Sequence, residues 1–263
     1  MPTTNNPIVL CISGHDPSGG AGIQADIETL AALDCHAATA ISCLTIQDSC
    51  NVYELIPLAP EHISRQVEVL LHDYKVQAVK IGLIGSAEAA AAIGNLLARH
   101  SNLPVVLDPI LAAGGGTVLA SEQLIQTIVQ KIIPHTTLIT PNSQEARKLT
   151  KEDALPECAA HLMNMGAKAV LITGTHETSS EVINTLYRPN HEPLSKTWPR
   201  LSESYHGSGC TIASAIAAGL AKGLNLEHAV TTAQVFTWQS LAAGWQPGRG
   251  QHIPNRQYRN QSE

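Results

Sequence analysis

A chain of 263 residues with 44% hydrophobic and 14% charged side chains can bury a large core, which excludes a disordered or fibrous polymer. Its formal net charge of -6, with only 16 Lys and Arg, leaves no basic footprint for a phosphate backbone or an anionic lipid surface, so nucleic acid and membrane are excluded as partners. Single-sheet α/β enzymes reach this length, and one domain spanning 1–263 is expected.

In chain order, the polar start Met1 to Pro7 has no basic stretch, and the apolar run at 8–12 is too short for a leader core or a membrane span. The six cysteines contain no Cys-x-x-Cys pair, and several sit in apolar runs as small hydrophobes. A reducing cytoplasmic setting is expected.

The run 8–13 predicts a first strand, followed by a helix over 22–33 and a strand over 38–44. Next come a helix at 60–74, a strand at 78–81, a helix at 87–100 and a strand at 105–107. Then follow a helix at 122–132, a strand at 138–140, a helix at 156–165 and a strand at 169–172. Between 181 and 204 the pattern changes to that of a short peripheral hairpin, after which helices are predicted at 209–222 and 226–243. The polar end from about 255 reads as a loosely held tail. Nearly continuous apolar strands alternating with helices predict an α/β fold: a mostly parallel sheet covered on both faces.

Four segments carry chemistry. The first strand runs into Ser13-Gly14-His15-Asp16-Pro17-Ser18-Gly19-Gly20-Ala21-Gly22-Ile23-Gln24-Ala25-Asp26. This glycine-rich turn either lets the backbone approach a ligand or simply turns tightly; it has neither Rossmann nor Walker A spacing. Tyr205-His206-Gly207-Ser208-Gly209-Cys210-Thr211 opens an apolar helix, whose free N–H groups and dipole form a site for a transferring phosphoryl group. The same position would lower the Cys210 thiol pKa and make it a proton acceptor or an orienting group, unless it is merely structural. Thr140-Pro141-Asn142-Ser143-Gln144-Glu145 follows a strand and leads into a helix, and either holds hydrated Mg²⁺ beside phosphates or forms a helix cap. Asp108, in Leu107-Asp108-Pro109, adds an acid that faces the same metal or caps a turn.

Together with Val79-Lys80-Ile81-Gly82, these segments resemble the hydroxymethylpyrimidine and phosphomethylpyrimidine kinases of thiamine biosynthesis, members of the ribokinase-like superfamily. The resemblance implies ATP-dependent phosphorylation of a pyrimidine hydroxymethyl group, and of its monophosphate in a second step, with ATP and Mg²⁺ and as a homodimer. It implies that Gly14, Ala21, Asp26, Gln47 and Leu83 surround the pyrimidine, with Asp26 and Gln47 hydrogen-bonding to it. It also implies an anion hole at Gly207, Ser208, Gly209 and Cys210. The nucleotide side falls to Asn142, Glu145, Thr173, Gly174, His176 and Thr211, and the metal to Asp108 and Glu145. Two departures stand out: the family often has a Lys near Ala113-Gly114-Gly115-Gly116, and a Lys-Gly-Gly-His segment where this chain has Thr173-Gly174-Thr175-His176. Both remove positive charge expected near phosphate. Two further readings are a pyridoxal kinase, which shares this chemistry, and a non-catalytic pyrimidine-binding protein.

Overall fold

The computed structural model describes residues 6–261; the first five residues of the polar start and the last two of the chain lie outside them. Nine strands form one sheet among the described residues: β1 (Ile8–His15), β2 (His36–Gln47), β3 (Val52–Pro57), β4 (Val76–Ile81), β5 (Val105–Leu107), β6 (Leu138–Ile139), β7 (Val170–Ile172), β8 (Glu181–Tyr187) and β9 (Leu194–Pro199). Their spatial order is β3-β2-β1-β4-β5-β6-β7-β8-β9. From β2 to β7 every neighbouring pair is parallel. The outer pairs β2/β3, β7/β8 and β8/β9 are antiparallel.

Eight α-helices connect or flank these strands: α1 (Gly22–Ala32), α2 (Pro60–Asp73), α3 (Ala87–Arg99), α4 (Glu122–Lys131), α5 (Ser143–Thr150), α6 (Leu155–Asn164), α7 (Ser208–Ala221) and α8 (Leu226–Ala242). Strand β1 shows why both sheet faces need cover. Successive side chains point to opposite faces, and all of Val9, Leu10, Cys11 and Ile12 are buried. Leu10 and Ile12 join one apolar cluster with Ile63 of α2, Ile93 of α3 and Leu124 of α4. Val9 and Cys11 join the other, with Leu30 of α1, Ile216 of α7 and Phe236 of α8. No described helix is long and apolar enough to cross a membrane.

The six predicted strands and seven predicted helices are present, with shifted ends. One further strand appears: β3 pairs with β2 although only Val52 of its six residues is buried, so no apolar run marks it. Helix α5, short and strongly polar, is the helix into which Thr140-Pro141-Asn142-Ser143-Gln144-Glu145 is expected to lead. The predicted peripheral hairpin is β8–β9, which extends the main sheet beyond β7 and forms its edge. The expected loose tail is also corrected. Asn255 N–H donates to Ser240 O at 2.9 Å, and Arg256 is almost fully buried. Apolar content alone does not reveal this anchoring, because polar partners from distant segments hold it.

Candidate active site

Open parallel sheets leave a crevice outside the carboxyl ends of their strands. Here that crevice is a cavity of about 690 Å³. Residues at or just beyond the ends of β1, β2, β4, β5, β6 and β7 reach it: Gly14, Gln47, Leu83, Asp108, Asn142 and Thr173. The hairpin and the start of α7 complete the wall.

Asp16 shapes the turn after β1. Its carboxylate accepts from Ser18 N–H at 2.8 Å, Ser18 Oγ at 2.7 Å and Ala21 N–H at 2.8 Å. It also meets His206 Nε2 at 2.8 Å. Burial alone would raise its pKa, yet the hydrogen bonds from His206, Ser18 and Ala21, with the charge of His206, carry it down to about 2. His206 Nε2 lies 3.1 Å from Gln47 Nε2. Asp16, His206 and Gln47 therefore form one polar rim, beside the apolar Leu83 and the small Gly14 and Ala21. A pocket that is mostly apolar with a few fixed polar groups suits a small nitrogen heterocycle.

Directly after His206, α7 begins behind Gly207, whose φ of +88° is left-handed backbone. Its amides point into this wall. Thr211 N–H is the first to close on Gly207 O, so the preceding N–H groups of Ser208, Gly209 and Cys210 have no partner within the helix. All three residues line the cavity. A β-carbon at Gly209 would lie 3.5 Å from Asp108 Oδ1, so Asp108 stands next to this mouth.

The carboxylates are electrostatically unusual. Burial pushes Asp108 up to about 6 despite the buried Lys80 ammonium, and its Oδ2 has no hydrogen-bond partner. Burial, then the charge of Asp108, pushes Glu145 up to about 8. Asn142 and Glu145 form a capping box: Asn142 Oδ1 accepts from Glu145 N–H, and Glu145 Oε2 accepts from Asn142 N–H, each at 2.9 Å. The capping and cavity-lining readings of this pair are thus both realised, because the capped end of α5 faces the cavity.

Cys210 differs from its expectation. The α7 amides and Lys80 favour a thiolate, but complete burial dominates and pushes the thiol up to about 12. The neighbouring Asp108 and Asp26 charges push it further up, so it is a protonated thiol at the start of α7.

Three other sequence-predicted residues do not line the cavity. Asp26 is fully buried, its Oδ1 2.7 Å from Lys80 Nζ and accepting from Ser214 Oγ at 2.6 Å, so it is engaged by Lys80 and Ser214 behind the cavity wall. Position 26 lies on the inner face of α1, where only an internal cation makes a carboxylate tolerable. Thr211 is fully buried and its hydroxyl donates to Gly207 O at 2.8 Å. Gly174 packs against the hairpin, its N–H donating to Asn184 Oδ1 at 3.1 Å. Gly14, Ala21, Gln47, Leu83, Asn142, Glu145, Thr173, His176, Asp108 and the Gly207-to-Cys210 segment are all brought together.

The structure adds residues that the motif reading did not assign. Lys148 lines the cavity from α5 and makes no ion pair among the described residues. Its place three residues after Glu145, on the same helical face, was the available signal. Arg200 also lines the cavity, but its donors go to Thr175, Glu177 and Ser179 carbonyls, which clamps the loop after β7. Lys148 thus restores on α5 a cation that is absent at 113–116 and 173–176. The indoles of Trp198 and Trp238 stack at 6.1 Å on the hairpin side of the same cavity.

Residues 16–255 match the family model described as phosphomethylpyrimidine kinase. A Streptomyces coelicolor protein described as hydroxymethylpyrimidine/phosphomethylpyrimidine kinase is 34% identical over 255 residues, covering 95% of this chain and 94% of that one. The Clostridium difficile phosphomethylpyrimidine kinase superposes with a TM-score of 0.78 at 29% identity, covering 89% of this chain and 99% of that one. The Bacillus subtilis pyridoxal kinase, solved as an ADP complex, superposes with a TM-score of 0.89 at 26% identity, covering 97% and 99%. A family match over nearly the whole chain, on a crevice whose helix mouth, capped carboxylate and small polar pocket converge, identifies this chain as a member of the phosphomethylpyrimidine kinase family.

Proposed function

We propose that this chain, working as one kinase domain, transfers the γ-phosphoryl group of ATP to the hydroxymethyl group of 4-amino-5-hydroxymethyl-2-methylpyrimidine, a step of thiamine biosynthesis. The observation that carries this reading is the convergence of α7 amides without partners in the helix, the buried Asp108, the half-buried Glu145 and the Gln47–His206–Asp16 rim on one cavity. Gln47 and the rim would orient the ring's nitrogens, and Leu83 would cover its face. The hydroxymethyl would then point at Cys210.

The proposed Mg²⁺ fits the residues present. Asp108 raises the proton affinity of Glu145, and Asp108 Oδ2 lacks a hydrogen-bond partner, so a cation there would relieve both carboxylates. Two carboxylates suffice for Mg²⁺, which takes its remaining ligands from phosphate and water. When bound, the ion supplies charge neutralisation between the phosphates.

The amides of Ser208, Gly209 and Cys210 supply fixed donors to the equatorial oxygens of the transferring group, in a place where water is excluded. Lys148 adds a mobile positive charge on the nucleotide side. The transition state of phosphoryl transfer is loose in most analyses, so positioning matters more than early proton removal. Cys210 therefore orients the hydroxyl as a neutral thiol, and the hydroxyl proton passes late to an oxygen of the transferred phosphoryl group.

Mg-dependent ADP release with the pyrimidine alcohol, its monophosphate and pyridoxal, each at saturating ATP, tests this reading. Turnover with the pyrimidine alcohol is expected. Turnover with pyridoxal alone would give the activity to the second reading, and binding without ADP would make the chain a pyrimidine-binding protein. We further propose a homodimer, for which the exposed apolar face of Leu44, Ile46 and Ile56 on the β2–β3 pair is the support.

A further inference from the structure

The family match ends at residue 255, one position before the most deeply buried cation of the C-terminal segment. Arg256 has a side chain with 0% exposure and lines no part of the cavity. Its guanidinium reaches three different elements. Nε donates to Thr211 Oγ1 at 3.0 Å, Nη1 to Glu28 Oε2 at 2.9 Å, and Nη2 to Gly20 O.

None of the three acceptors lines the cavity, but two of them, Gly20 and Thr211, lie directly behind residues that do. Gly20 lies in the glycine turn after β1, next to Ala21. Thr211 passes the contact on, since its hydroxyl donates to Gly207 O at 2.8 Å, and Gly207 is the left-handed residue that opens α7. A β-carbon at Gly207 would strike Gly20 O and would lie 2.8 Å from Arg256 Nη2. The two glycine segments are thus in direct contact, and one planar five-donor group sits behind their seam. A rigid fork suits this task better than an ammonium, because it addresses several acceptors at fixed angles.

We propose that Arg256 is a positioning residue for phosphoryl transfer. It holds the α7 amide mouth at a set distance from the substrate turn, and it adds a permanent positive charge behind those amides. Glu28, 46% exposed, only partly offsets that charge. The remainder of the segment keeps Arg256 in place: Tyr258 donates to Gln239 Oε1 at 2.6 Å, and Arg259 covers the Phe236 ring.

Removing the fork lets two rigid walls shift by a fraction of an ångström, which acts on the transition state more than on the bound alcohol. In Arg256→Ala, kcat is expected to fall by about 10- to 100-fold while KM for the alcohol changes by less than about threefold. Methylguanidinium, filling the vacated space, is expected to restore part of kcat. Arg256→Lys should recover less than half of the loss, and Arg99→Ala, in the exposed Arg99–Glu68 pair, should leave kcat unchanged. Thr211→Val, which cuts the link to Gly207 with little change of volume, should lower kcat in the same way, and it decides the matter if Arg256→Ala does not fold.

The proposal is overturned if folded Arg256→Ala or Thr211→Val keeps kcat within twofold of wild type. It is also overturned if the loss follows the unfolded fraction and methylguanidinium restores nothing. Because it rests on the kinase reading, wild-type turnover is measured alongside. No turnover in wild type rejects that reading, whereas normal wild-type turnover with unimpaired variants rejects this one.

Discussion

Cys210 and Glu145 show how burial overrides local expectation. A thiol at a helix start should be acidic, yet this one is held at about 12 by desolvation that the α7 amides and Lys80 do not offset. Alkylation at pH 8 followed by peptide mass analysis should therefore label the exposed Cys50 and spare Cys210; rapid Cys210 labelling would restore the thiolate mechanism. For Glu145 the sign runs the other way from a surface acid. Its folded pKa of about 8 lies above the ordinary value of 4.5, so its contribution to stability is present at low pH and is lost as pH rises through about 8. Metal binding must displace that proton, so apparent Mg²⁺ affinity should rise between pH 6.5 and 8.5. Glu145→Gln, which can still cap α5, should match or exceed wild-type Tm at pH 8.5 and lose the Mg²⁺ response. A lower Tm there, or an unchanged response, would contradict the assignment.

At the scale of elements, two helix starts do the positioning. Asn142 caps α5 and thereby fixes Glu145, so Asn142→Ala should cost about 1 kcal/mol, seen as a fall in Tm of about 2 to 4 °C, together with a loss of activity. Gly207 opens α7 with positive φ against Gly20 O, so Gly207→Ala should lower kcat by about 10²- to 10³-fold, the cost of misplacing a fixed anion donor. Both helix starts were legible in the sequence, because a cap motif and a glycine-rich entry are local patterns. The role of Arg256 was not, because its partners Gly20 and Thr211 lie 236 and 45 residues away and nothing nearby marks a buried cation. Asp26 misled for the same reason: its partner, Lys80, is brought to it only by the packing of α1 on β1, whose neighbour in the sheet is β4.

Over the whole molecule, the parallel core was readable because strands buried on both faces are continuous apolar runs, as in β1 and β5. Strand β3 escaped because its side chains are mostly exposed. That same exposure bears on assembly. Leu44, Ile46 and Ile56 share one face of the β2–β3 pair, so sedimentation should give about twice the 27.9 kDa chain mass and Ile46→Lys should shift it towards the monomer.

The central claim is that this cavity moves a phosphoryl group onto a pyrimidine alcohol. Phosphorus NMR of wild-type protein with ATP, Mg²⁺ and 4-amino-5-hydroxymethyl-2-methylpyrimidine tests it most directly. The account predicts a new phosphomonoester signal growing in step with ADP, and no such signal without Mg²⁺. ATP left intact, or ATP lost to inorganic phosphate with no ester formed, would contradict it.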